Sequence, residues 1–252
     1  MKRIFSVICV ACAAILTISC NKEENDYFKG HDYVDLGLPS GILWATCNLG
    51  ATTPEGYGEF YGWGMTTPYT EGESADYETY FKKIGGTGVD SGDCGTKDDP
   101  IGDYVRHADG PGAKYYITTD AGTADGIGGT EWDAARKSWK GQWRMPTRVE
   151  FDELRDENNC SWEWITENGV EGVKITSKKN NNSIFMPAAG YYNESSVYSR
   201  ATTCGFWTST PHPIMRGDNP LITNFYKTFN GYSNVPRYFG YPIRPVIMPK
   251  NK

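Results

Sequence analysis

The chain has 252 residues, with 25 Lys and Arg against 31 Asp and Glu, for a formal net charge of −6. Such an acidic surface has no broad attraction for polyanions, which excludes nucleic acid as a general partner. Aromatic residues make up 14%, with 17 Tyr and 8 Trp beside 29 Gly, so the expected core leans on rings and loops rather than on Leu-rich helices.

At the amino end, Lys2 and Arg3 precede an apolar or small-residue run from Ile4 to Ile18. That is the length of a signal h-region and too short to span a bilayer comfortably. Leu16-Thr17-Ile18-Ser19-Cys20 resembles a bacterial lipobox, with Thr17 at the place where Leu is usual. The resemblance implies a signal over residues 1–19, lipid attachment at Cys20 and anchoring to a membrane through that lipid. Loss of Lys2 and Arg3 leaves 23 basic against 31 acidic residues, near −8. Residues 20–30 read as a polar tether. Its Lys22-Glu23-Glu24 run is similar to the acidic signal that sends some Bacteroidota lipoproteins to the outer face of the outer membrane.

Residues 31–248 are expected to form one domain. Short strands are predicted at 32–36 and 43–48, joined by the turn Leu38-Pro39-Ser40-Gly41. Residues 50–72 read as a structured loop, and 73–130 as a long Gly/Asp-rich insertion. A helix is predicted over 131–140, capped by Thr130 and stopped by Gly141, with Trp132, Ala135 and Trp139 on one stripe. Thr147-Arg148-Val149-Glu150 is a capping box that opens a second helix to about Asn158, with Phe151 and Leu154 inward. Strands follow at 162–166, 170–176, 183–187, 206–209, 221–229 and 241–246. In the fifth of these, Leu221, Phe225 and Phe229 share one face. Strands, loops, two helices and then strands make an α+β chain.

Seven cysteines occur. Cys9 and Cys12 leave with the signal and Cys20 takes the lipid. Cys47, Cys94, Cys160 and Cys204 remain, an even number that points to disulfides with three connectivities open.

Several blocks resemble the Fibrobacter succinogenes major paralogous domain family. They are Asp35-Leu36-Gly37-Leu38-Pro39-Ser40-Gly41-Ile42-Leu43-Trp44-Ala45-Thr46-Cys47-Asn48, Tyr57-Gly58-Glu59-Phe60-Tyr61-Gly62-Trp63-Gly64, and Trp132-Asp133-Ala134-Ala135 with Gly141-Gln142-Trp143-Arg144-Met145-Pro146-Thr147. Gly169-Val170-Glu171-Gly172, Ser183 to Tyr191, Gly205-Phe206-Trp207-Thr208-Ser209-Thr210 and Ile243-Arg244-Pro245-Val246 continue the series. The resemblance implies a fold similar to C-type lectins and the formylglycine-generating enzyme: a twisted antiparallel sheet, two helices and long irregular loops. It also implies a Cys47–Cys160 bridge, leaving Cys94 with Cys204. It implies no established activity.

Catalytic chemistry is sparse. His31, His107 and His212 are the three histidines, and neither GxSxG nor HExxH occurs. The paired active-site cysteines of the formylglycine-generating enzyme are not matched, so no enzyme is expected. No metal site or cofactor is expected either. Asp120 to Glu131 has the length of an EF-hand loop, but Gly122, Ala124 and Asp125 stand at its ligand and Gly positions. Calcium held by Asp90, Asp93, Asp98, Asp99 and Asp103 is the alternative. Arg144 and Arg244 read as structural cations, and Trp162 and Trp164 as core.

Tyr, Asn, Ser and Gly crowd residues 191–199 and 224–240, the composition of adaptable binding loops. Tyr191, Tyr192, Trp207, Asn224, Tyr226, Tyr232 and Tyr238 are the predicted ligand-binding residues. The expected function is a non-catalytic binding module on a surface-exposed outer-membrane lipoprotein, with a glycan or protein ligand. The competing readings are a structural part of a surface assembly and a formylglycine-generating-type enzyme.

Overall fold

The structure is a computed structural model that describes residues 26–84, 126–212 and 220–250. The expected signal, Cys20, the start of the tether, Cys94, His107, the Asp90–Asp103 cluster and the centre of the insertion lie outside the described residues. The fold is mixed α+β, with mostly antiparallel sheets and few helices. Its elements are β1 (Tyr33–Asp35), β2 (Leu43–Ala45), α1 (Tyr77–Lys83), α2 (Ala134–Trp139), α3 (Arg148–Arg155), β3 (Cys160–Glu167), β4 (Val170–Ser177), β5 (Ser183–Pro187), β6 (Tyr191–Asn193), β7 (Ser196–Tyr198), β8 (Cys204–Trp207), β9 (Leu221–Phe225), β10 (Asn230–Asn234) and β11 (Val246–Ile247). Three-stranded sheets run β1-β2-β11, β3-β4-β5 and β10-β9-β8, and β6-β7 is a hairpin. No described helix is long and apolar enough to cross a membrane.

The sheet β1-β2-β11 joins the two ends of the described chain. Val246 pairs with Trp44 and Ile247 with Leu43. Beside it Arg244 is fully buried. Its Nε donates to Asn48 Oδ1 at 2.8 Å, Nη1 to the carbonyls of Ala45 (3.1 Å) and Thr46 (2.9 Å), and Nη2 to the Phe185 carbonyl (3.0 Å). These four acceptors are neutral. Burial pushes the guanidinium down to about 10, which leaves it charged at neutral pH. The cation therefore holds by hydrogen bonds what a carboxylate would hold by charge.

The Trp-Asp-Ala-Ala block has a structural cause. The predicted Thr130 cap is displaced to Asp133, because Thr130 Oγ1 instead donates to the Ile127 carbonyl within the preceding turn. Asp133 Oδ1 accepts from Ala135 and Arg136 N–H, and Oδ2 from Gly129 and Met145 N–H. Burial pushes this carboxyl up, against the pull of those four donors. The helix ends at Trp139, where Lys140 and Gly141 both take positive φ. In α3 the capping box is present, and Glu150 also takes the Arg144 guanidinium. Phe151 and Leu154 are buried, as their spacing predicts, but the helix stops at Arg155.

Helix α1 lies inside the predicted insertion, where neighbouring Gly and Asp hide its pattern. Asp76 caps it by accepting from Thr79 N–H at 2.8 Å, and Tyr80 is fully buried. The predicted strand 221–229 is instead a hairpin. Tyr226 N–H donates to the Phe229 carbonyl at 2.9 Å, and the chain reverses over Lys227 and Thr228. Phe229 therefore leaves the Leu221–Phe225 face and is 57% exposed.

The packed part begins before residue 31. Phe28 is buried in the cluster around Trp63, Trp143 and Trp207, and Trp143 Nε1 donates to its carbonyl at 2.8 Å. His31 stacks on Trp139 at 3.8 Å. Cys47, Cys160 and Cys204 are free thiols, so the expected Cys47–Cys160 bridge is not formed. Cys47 borders that same cluster and donates to the Ala51 carbonyl, whereas Cys160 opens β3 in a second cluster around Trp44 and Phe151.

Two predictions follow from this packing. Arg244→Met leaves four buried acceptors without donors and lowers the unfolding free energy by about 3 kcal/mol or more, measured by urea denaturation; an unchanged midpoint removes Arg244 as the clamp. Burial lowers the His31 pKa below 6.5, so the unfolded chain takes up its proton first as pH falls. Stability present above about pH 6.5 is thus lost as the solution is acidified below it. Thermal midpoints taken across that window should fall less in His31→Gln than in the parent chain.

Candidate binding surface

The ring-bearing surface is built by two tight hairpins. In β6-β7 the register sets Tyr191 opposite Tyr198 and Asn193 opposite Ser196. Gly190 opens this hairpin at φ +72, and a Cβ there would stand 2.0 Å from the Tyr198 carbonyl oxygen. In β9-β10 the turn over Lys227 and Thr228 sets Tyr226 opposite Phe229. Directly opposed side chains on one sheet face meet, so each hairpin makes a cross-strand ring pair. Tyr191 and Tyr198 stack with centroids 5.7 Å apart, and Tyr226 and Phe229 at 4.4 Å.

Tyr191 is the centre of the surface. Its ring lies nearly parallel to Phe239 (5.8 Å, 8°) and to Tyr241 (5.6 Å, 18°). Tyr241 lies close against β8 because residue 205 is Gly; a Cβ there would meet its ring at 2.8 Å. Phe239 leads to Tyr238 and then to Tyr77 on α1, at 5.2 and 4.5 Å. Tyr226 follows Asn224 by two residues and so lies on the face of β8-β9 that Tyr241 covers at Gly205. Burial first, then Tyr191, holds the Tyr226 phenol above its usual range. Phe229 and Tyr198 remain the exposed ends, at 57% and 39%. Stacking on Tyr226 covers one face of Phe229, so that exposure belongs largely to its outer face.

Beyond the second hairpin, Trp164 Nε1 and Thr166 Oγ1 both donate to Glu171, and Lys227 Nζ lies 3.7 Å from the same carboxylate. Those partners hold Glu171 below its usual carboxylate range, with Thr166 the strongest. Lys227 Nζ also stands 5.8 Å from the Trp164 ring. Trp162 and Trp164 are half-buried at the edge of the second cluster, so they are not the fully buried core residues expected.

The seven predicted ligand-binding residues separate into three groups. Tyr191, Tyr226 and Tyr238 are half-exposed and belong to the ring surface. Tyr192, Trp207 and Asn224 are buried and cannot meet a ligand directly. Neighbouring strand residues face opposite ways, so Tyr192 turns inward, where its hydroxyl donates to the Glu73 carbonyl at 2.7 Å. Trp207 Nε1 donates to the Tyr61 carbonyl, and Asn224 Nδ2 to Ser233 Oγ. Tyr232 lies on the other face of the sheet from Tyr226. It packs between Arg148 and Arg155 of α3 and donates to the Arg148 carbonyl.

Reading along the chain missed Phe229, Phe239 and Lys227. Phe229 had a signal only in register, since no Asn-Gly or Asp-Gly marks the turn at Lys227-Thr228. Among the described residues no three His, Cys, Asp or Glu side chains converge as a metal site. A cleft of about 340 Å³ lies elsewhere, between Leu36–Pro39 and Asn158, Asn159, Lys178 and Lys179. Lys178 Nζ and Asn159 Nδ2 there are bonded to the Glu157 and Glu153 carbonyls. Comparison of the chain with protein-family models, curated proteins and solved structures gives no match.

The surface separates supports from contacts by stability. Trp207→Phe removes a buried indole donor and costs about 1–3 kcal/mol. Phe229→Ala changes an exposed ring and costs about 1 kcal/mol or less. Chemical denaturation of the two variants should give this order; the reverse order would mean Phe229 is part of the core.

Proposed function

We propose that this protein is a non-catalytic binding module, held by a lipid at Cys20 on the outer membrane and facing the cell exterior. The reading includes a lectin-like architecture of antiparallel sheets beside helices. The anchor rests on the lipobox-like run ending at Cys20, and one observation carries the binding role. Three chain segments, residues 191–198, 226–229 and 238–241, bring stacked rings to one surface and leave Phe229 and Tyr198 open to solvent. A single exposed apolar side chain is ordinary, but exposed rings stacked on further half-exposed rings form a patch, and patches of that kind mark contact sites. Rings at such sites supply contact area with few rotors to immobilise. The ligand is a glycan or a protein.

The described thiols bear on the enzyme alternative. Burial pushes Cys160 up to about 11 and raises Cys47 and Cys204 as well, which suits structural cysteines rather than nucleophiles.

The test is a glycan array and a panel of cell-surface proteins probed with the full chain and with Phe229→Ala/Tyr198→Ala. The double variant should lose about tenfold or more in affinity for whatever ligand is found, with a thermal midpoint lowered by no more than about 5 °C. Equal binding by both proteins to every ligand found removes this surface as the binding site.

A further inference from the structure

We infer that the surface takes a neutral glycan chain and engages it by ring stacking at Phe229 and Tyr198. This rests on the binding reading above and narrows it to one ligand class. The first reason is shape. A pyranose ring has a flat face of C–H groups, and a phenyl or phenol face is its apolar complement. Phe229 offers such a face because Tyr226 backs it at 4.4 Å, and Tyr198 is backed by Tyr191 at 5.7 Å. Each backing ring fixes the plane of the exposed one, so little freedom is lost when a sugar stacks.

The second reason is charge. Lys227 faces Glu171 at 3.7 Å, and Glu171 is already engaged by Trp164 and Thr166. Glu194 accepts from the Tyr198 hydroxyl at 3.4 Å. Arg200 lies over the Tyr57 ring at 4.5 Å. Glu171 and Glu194 against Lys227 and Arg200 make two charges of each sign, so these four groups give the surface no net field for an anionic or cationic polymer. The uncharged polar groups nearby are Asn193, Ser195, Ser196 and Thr228, and their amides and hydroxyls match sugar hydroxyls as donors and acceptors.

The third reason sets a glycan apart from a protein. Of the aliphatic residues in this region, Ile222 and Ile243 are buried in the cluster on which Tyr191 and Phe239 pack, while Val197 and Val235 are half-buried. The large apolar side chains that stand exposed here, Phe229 and Tyr198, are both aromatic, whereas a protein interface usually adds exposed aliphatic anchors. Each exposed ring takes one sugar unit, and the two belong to separate hairpins, so a ligand that meets both is a chain of several units.

Affinity gel electrophoresis of the full chain tests this with neutral polymers (xylan, glucomannan and mixed-linkage β-glucan), with polygalacturonate and heparin, and with a peptide library on beads. At least one neutral polymer should retard the protein, equally at about 0.05 and 0.5 M salt, because no ion pairing contributes. Phe229→Ala and Tyr198→Ala should each weaken that retardation fivefold or more, and the matching monosaccharide should not compete. Retardation by anionic polymers alone, with loss at high salt, overturns the inference. So does neutral-polymer retardation that neither substitution weakens. Peptide binding that Phe229→Ala abolishes, without any neutral-polymer binding, also overturns it but leaves the binding reading standing. If no ligand responds to either substitution, both fail.

Discussion

The Arg244 guanidinium sits where three distant parts of the chain meet. It bonds the exit of β2 at Ala45 and Thr46, the Asn48 amide and the Phe185 carbonyl of β5. Backbone pairing follows the same line, with Ala45 N–H donating to the Pro245 carbonyl and Leu49 N–H to that of Ile243. A buried cation is costly unless its hydrogen-bonding directions are filled. Here four neutral oxygens take four of its five N–H groups, so β2, β5 and the segment that enters β11 are fixed together. The sheets that present the ring surface are built between those fixed ends.

Loops make up much of this protein, and their polar backbone must find partners inside. Trp and Tyr supply many of these. Trp63 Nε1 donates to the Thr208 carbonyl, Trp143 Nε1 to that of Phe28, Trp207 Nε1 to that of Tyr61, and the Tyr80 hydroxyl to that of Trp63. Each such side chain buries a large apolar body and ends in one donor. It fills volume and satisfies a loop carbonyl at once. This explains how an aromatic-rich, aliphatic-poor sequence builds a core over residues 50–72 without regular secondary structure.

The same chemistry leaves a second set of rings on the outside. The difference is the address of the polar tip. Trp63, Trp143, Trp207 and Tyr80 point theirs at backbone carbonyls. Outer ones stack on each other across two hairpins, and Phe229 has no polar tip at all. Turn geometry decides which residues join this set. A two-residue loop places its flanking side chains on one face, so Tyr226 and Phe229 meet although their spacing along a continuous strand would part them.

Local interactions were legible in the sequence. The Thr147–Glu150 capping box, the inward Phe151 and Leu154, strand β5, and Arg144 beside an acid all depend on residues within one turn or a few positions, where side-chain and backbone chemistry alone decide the outcome. The aromatic excess also located the ring surface in the last quarter of the chain. Tertiary structure decided what depends on register and distance. It set Asp133 rather than Thr130 as a cap, through contacts to Gly129 and Met145. It turned Tyr192, Trp207 and Asn224 inward and Phe229 outward, and it sent Tyr232 to the opposite sheet face from Tyr226. A residue's type states what it can bond to, but only the folded chain fixes which side of a strand it occupies and which partner arrives there.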